Sequence, residues 1–254
     1  MAVHVPDRLP MGNSPARARA KETLWRLSAL AFAHPAPEFF EALASNRFHE
    51  AFNASWAQVV GREWSRVETS LDFTSFEAGF IAAFLHGRSG KPVAALLAGD
   101  HEELLAGLTR PVFMLNLTAF YKHFGLEAAT GDEGRQDEPD HLACMLEFMS
   151  VLCHLETQAL SGDRDPAPYR RAQRDFLCRY LVPTLDVVTR QLRRNPVPEL
   201  DPTLSQLLQD IADWSHQQVG ELEARVGPFR DPDAPKPAHA ASQASAPAAQ
   251  NLWD

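Results

Sequence analysis

The residues best suited to chemistry in this 254-residue chain are a run of carboxylates that ends in one histidine. Between Gly131 and His141 stand Asp132, Glu133, Asp137, Glu138 and Asp140, opposed by Arg135 alone. The ordinary use of such a run is to face water and cap a helix. It can also form a rim for cations, because a carboxylate accepts a guanidinium through two parallel hydrogen bonds. A third use is metal binding, since Glu138-x-x-His141 is half of a di-iron bundle signature. That signature needs a second such motif and two further carboxylates, and no second motif occurs. His154 lies on the same stretch as His141 and Cys144 but more than three helical turns from His141, too far for one ion. The chain carries no G-x-S-x-G, P-loop, G-x-G-x-x-G or H-E-x-x-H pattern. The reading is therefore no catalytic residue, no metal and no cofactor. A metal-dependent helical-bundle enzyme using Glu138 and His141 stands as the alternative.

Two helices must position this run. Upstream, an amphipathic segment reaches Phe124 and stops at Gly125, which can take the left-handed conformation of a C-cap. Downstream, Pro139 suits a first helical position, with Glu138 or Asp137 as N-cap and Asp140 in the first turn, where negative charge favours the dipole. Leu142, Met145, Leu146, Met149, Leu152 and Cys153 then recur at three or four residues, with Phe148 and Leu155 widening the stripe. Met145 and Met149 either fill gaps in a core or lend an apolar groove adaptability.

From Tyr121 to Met149 the order F-G-L, an acidic loop, E-P-D-H-L and L-E-F-M resembles the TorD/DmsD/NarJ family of chaperones that mature molybdenum-cofactor enzymes of the dimethyl sulfoxide reductase type. A weaker, collinear likeness runs from about Leu24 to Tyr180. Met145 stands where the family usually has an acidic residue, and the loop after Leu126 is longer than usual. The resemblance implies a compact all-α multi-helix bundle with a hinge loop, near 127–138, before the E-P-D-H helix. It implies a cytoplasmic chaperone that holds the apo catalytic subunit of a molybdenum-cofactor oxidoreductase, its twin-arginine signal peptide, or both, until the cofactor is inserted and before export. The protein would be a monomer, with a dimer swapped through the loop as the alternative. Asp140 and His141 match the pair used at the family's hinge and signal-peptide site; Glu138 and Pro139 adjoin them. Asp140 would either hold His141 in one orientation or meet an arginine directly. Phe84 and Leu85, in a turn like the family's L-F-x-G, and Tyr121 complete the implied client-binding set. An adaptor whose acidic loop takes an unrelated basic protein is a third reading.

The bounds agree with such a molecule. Apolar residues make up 45% of the chain, enough for a core, and the net charge of −9 argues against nucleic acid and anionic membrane surfaces. Three cysteines without C-x-x-C, each in an apolar helical stretch, read as reduced thiols. No apolar run is long enough for a signal peptide or a membrane span.

In chain order, residues 1–14 read as flexible and 15–226 as the helical domain. The tail, 227–254, is rich in Pro, Ala and Ser and reads as disordered. Helices are expected over 15–33, from Pro37 onward through Val60, over 71–85, 93–97, 109–124, 139–160, 168–192 and 199–225. Trp25 and Leu30 flank the first helix's inner face. Phe73, Phe76, Phe80 and Phe84 form a stripe whose ordinary use is packing and whose functional use is one wall of a peptide groove. Val112 or Phe113, Leu115, Leu117, Phe120 and Tyr121 form the inner face of the helix before Gly125. Pro183 predicts a kink or two abutting helices. No strand pattern appears.

Overall fold

The computed structural model describes residues 14–87, 90–126 and 138–231. The expected flexible N-terminus, hinge loop and tail lie outside these residues, apart from Ser14, Glu138 and 227–231. Among the described residues the fold is all-α, as the periodicity predicts. Its helices are α1 (Pro15–Phe32), α2 (Pro37–Ala44), α3 (Arg47–Val60), α4 (Phe73–Phe84), α5 (Arg110–His123), α6 (Leu142–Ser161), α7 (Ala167–Phe176), α8 (Val182–Arg194) and α9 (Pro202–Val226).

Local chemistry accounts for most of the boundaries. Ser14 caps α1 by accepting the Arg17 N–H at 3.2 Å, with Pro15 in the first turn. Asp72 caps α4 through the Ser75 N–H at 2.8 Å. Asp201, fully buried, caps α9 through Thr203 N–H and also accepts from Thr69 and Ser70, fixing the loop before α4 to the start of α9. Asn46, at a left-handed φ of 66°, separates the short helix expected from Pro37, α2, from α3, which carries the apolar residues Phe48 to Val60. At Pro183 the chain forms abutting helices, the second of the two outcomes expected there. A π-helical segment, Leu177–Leu181, precedes it, and Val182 N–H reaches back to Leu177 O. Pro183 thereby falls in the first turn of α8, where its missing N–H leaves no gap.

The core is one cluster centred on α1, α6 and α9. α1 lies along α6 and against α3. Trp25 is core rather than flanking and packs on Trp214 of α9 with ring centroids 4.3 Å apart. Met145 and Met149 are fully inside, so they fill the core and line no open groove. Ion pairs tie the same helices together. Glu221 of α9 accepts from Arg17 (2.9 Å) and Lys21 (3.3 Å) of α1, and Arg17 also donates to Val59 O at the end of α3. Glu156 of α6 pairs with buried Arg170 of α7 at 2.6 Å and accepts from Gln173. Burial raises the Cys178 thiol to about 11 and the Cys153 thiol higher still, which keeps both protonated. No helix among the described residues is long and apolar enough to cross a membrane.

Burial pushes the Glu221 carboxyl up, but Lys21 and Arg17 more than offset this and hold it below its ordinary value. A depressed folded value gives stability that is present above the ordinary glutamate range and is lost as the pH falls through the folded value. Glu221→Gln should cost about 1–2 kcal/mol at neutral pH, a buried-pair figure reduced for the part of Glu221 that solvent reaches. Urea unfolding of both proteins should show the difference shrink in acid; a constant difference would contradict the pairing.

Candidate functional site

The E-P-D-H segment is a turn, and α6 starts after it. The Glu138 carbonyl accepts the His141 N–H at 2.8 Å and closes the turn. Residues 96–98 then pair with 140–142: Ala98 N–H donates to Asp140 O at 3.0 Å, and Leu142 N–H donates to Leu96 O at 2.8 Å. Leu97 and His141 thus form a single antiparallel bridge. Pairing keeps His141 extended and makes it the N-cap of α6, its Nδ1 accepting the Ala143 N–H at 3.2 Å. Two expectations are corrected. Pro139 and Asp140 precede the helix, and Glu138 is not its cap; Asp137 lies outside the described residues. The segment 93–97 is no helix either: its N–H groups at Val93 and Ala94 go to Ala83 O at the end of α4, and its far end pairs with 140–142.

Asp140 is the centre of this arrangement. It is 0% exposed, against the usual expectation for a carboxylate in a charged loop. Oδ2 accepts the Gly99 N–H at 2.7 Å, and Oδ1 has no hydrogen-bond partner among the described residues. Burial raises its carboxyl above the ordinary range; the Gly99 N–H and Arg110 return part of that shift. An arginine of the chain itself lies beside Asp140. Arg110, the first residue of α5, brings Nη2 to 2.5 Å from Glu138 Oε2 and 3.9 Å from Asp140 Oδ2, while Nη1 lies 3.3 Å from Asp100. This closeness requires glycine at 99: a Cβ there would lie 2.7 Å from Asp140 Oδ2 and 2.8 Å from Arg110 Nε.

Tyr121 holds the turn from the other end of α5, its hydroxyl donating to Pro139 O at 2.8 Å. Burial keeps that phenol protonated well above its ordinary value. Its ring packs on Phe148 of α6 and Phe176 of α7. The structure therefore brings Glu138, Pro139, Asp140, His141 and Tyr121 together. It does not bring Phe84 to a surface: Phe84 is buried against Phe32 and Phe80, so it forms core rather than a groove wall. Leu85 is half-buried at the C-cap of α4.

Arg110, Gly99 and Asp100 are the partners that sequence reasoning missed. One signal was available: an arginine at a helix N-terminus, where the dipole disfavours a cation, calls for nearby carboxylates. The outer face of α5 is also corrected. Val112 and Leu115, expected or considered as inner, are 41% and 67% exposed, and Leu108 just before α5 is 43% exposed. The true inner residues are Phe113 and Leu117, with Phe120 and Tyr121 beside them. A cleft of about 620 Å³ runs between α5 and α7, lined by Asn116, Phe120, His123, Phe124, Arg171 and Arg179 among others. No group of three His, Cys, Asp or Glu among the described residues could hold a metal ion.

Comparison with known proteins adds a family context. The family described as nitrate reductase delta subunit matches residues 45–189. The chain is 52% identical to the dimethyl sulfide dehydrogenase assembly chaperone protein of Rhodovulum sulfidophilum over 94% of both chains. It is 33% identical to the selenate reductase assembly chaperone protein of Thauera selenatis, covering 74% of this chain and 94% of that one. Likeness to the perchlorate reductase assembly chaperone protein of Dechloromonas aromatica (strain RCB) is 34% over 58% and 63% of the two chains. All three are named as assembly chaperones and none as an enzyme.

Gly99→Ala should lower stability by about 1–3 kcal/mol in thermal unfolding, because neither the peptide nor the buried carboxylate can withdraw from the added methyl group. Tyr121→Phe should cost about 1 kcal/mol, the worth of one hydrogen bond. A silent Gly99→Ala would contradict the close approach described here.

Proposed function

We infer the role of this chain from its family: it belongs to the nitrate reductase delta subunit family, the TorD/DmsD/NarJ group of assembly chaperones that residues 121–149 resemble. We propose that it is a dedicated cytoplasmic chaperone for one reductase or dehydrogenase of the dimethyl sulfoxide reductase type. It would bind the apo catalytic subunit, its twin-arginine signal peptide, or both, until the molybdenum cofactor is in place and before export. The observation that carries this reading is the match to a dimethyl sulfide dehydrogenase assembly chaperone over 94% of each chain. The chain's contribution is binding, without catalysis of its own. In this reading 15–226 works as the chaperone body and 127–138 as its hinge loop.

The site has the chemistry such a task requires. Asp100 and Glu138 offer carboxylates that solvent reaches, at 39% and 50% side-chain exposure, and a guanidinium matches them better than an ammonium does. Val112 and Leu115, three residues apart on α5, share an exposed apolar face, and Leu108 just before α5 is exposed as well. An arginine pair followed by an apolar stretch, the plan of a twin-arginine signal peptide, offers guanidinium groups to those carboxylates.

Calorimetric titration with the twin-arginine peptide of the catalytic subunit encoded nearby, beside a Lys-Lys control, tests the reading. The arginine peptide should bind and the control should bind more weakly. Asp100→Asn with Glu138→Gln should weaken binding about tenfold, the scale of one charge-assisted hydrogen bond, with helicity unchanged. Absence of binding, together with failure of the co-expressed catalytic subunit to co-purify, would overturn it.

A further inference from the structure

We propose that Arg110 is an internal stand-in for the partner's arginine: it occupies the Asp100–Glu138–Asp140 clasp in the free chain and is displaced when a guanidinium of the partner docks there. This rests on the reading above that the partner presents arginine.

The position of Arg110 is the first argument. As the first residue of α5 it sits where the helix dipole and the free N–H groups disfavour positive charge. Only the carboxylates make that placement favourable, so Arg110 is held by the clasp and not by its helix. The clasp is the second argument. Among the described residues, three carboxylates surround one guanidinium, which leaves negative charge in excess. Arg110 meets Asp100 through Nη1 and Glu138 through Nη2, one short contact each, without a parallel two-bond fork on either. Asp140 is wholly buried, yet among the described residues its Oδ1 has no hydrogen-bond partner and its Oδ2 stands 3.9 Å from Nη2. A buried carboxylate oxygen without a donor is costly, and its natural complement is another N–H group. The floor of the clasp is the Gly99 backbone, where no side chain blocks approach.

Exchange is cheap on the solvent side. The Arg110 side chain is 37% exposed, Asp100 39% and Glu138 50%, so releasing Arg110 opens no core. Exposed pairs of this kind hold their partners weakly. The occupant these carboxylates match is an arginine, and the internal pair sets the threshold it must overcome.

Removing the stand-in should strengthen binding. In calorimetry with the twin-arginine peptide, Arg110→Ala should bind about two- to fivefold tighter than the unaltered chain, because a competent state that is only partly populated lowers apparent affinity by its fraction. Equal or weaker binding by folded Arg110→Ala would overturn the proposal while leaving the chaperone reading intact. Should Arg110→Ala fail to fold, the unaltered chain supplies the test. The Arg110 Nε–H resonance, assigned by its absence in Arg110→Lys, should shift toward the solvated position and exchange faster with water as peptide is added. A resonance that stays put while calorimetry records binding would overturn displacement alone. Binding of neither the arginine peptide nor its lysine control would overturn the chaperone reading and this proposal with it.

Discussion

The hydrogen bond from Gly99 N–H to the buried Asp140 carboxylate, 2.7 Å long, joins two parts of the chain that are otherwise far apart in sequence. A carboxylate without solvent needs donors, and backbone N–H groups are the donors that a narrow slot admits. Satisfying Asp140 in this way draws residues 96–99 against 140–142, and the paired backbone that results decides where α6 begins. It also brings Asp100 and Glu138 to opposite sides of Arg110. The start of α5, the start of α6 and the surface carboxylates are thus arranged by one contact.

Behind that contact the bundle is held together by ordinary packing. α6 is packed on most of its circumference, by α1 on one side and by the aromatic group Phe120, Tyr121, Phe148 and Phe176 on another. Tyr121 belongs to both systems: its ring is part of the aromatic packing and its hydroxyl fixes Pro139. The division of labour that follows is a fixed core presenting a clasp whose outer members reach solvent. That division suits the proposed chaperone role, in which a partner must be held and then released.

Helices with strong stripes were legible from sequence because their information is local. The stripe from Leu142 to Cys153 and the left-handed stop at Gly125, whose φ is 76°, both stand as read. The acidic run drew attention to Glu138, Asp140 and His141, which do lie together. What stayed hidden depends on contacts between distant residues. Nothing near Asp140 announces that Gly99 will donate to it, so its burial and the late start of α6 escaped periodicity. Val93 to Leu97 looks like a short helix until its backbone is needed by Ala83 and by residues 140–142. Leu115 looks like core because it is leucine on an amphipathic helix; its exposure is visible only once the neighbours of α5 are placed. The π-helical segment before Pro183 was legible only as some irregularity near the proline.

Hydrogen exchange of the chain alone and with the co-expressed catalytic subunit tests most directly the claim that this contact organises the docking face. In the free chain, the amides of Ala98, Gly99 and Leu142 should exchange slowly and together, as members of one paired unit. With the subunit present, added protection should concentrate at 96–100, 108–115 and 138–142. Protection that falls on another surface, with these segments unchanged, would contradict the account.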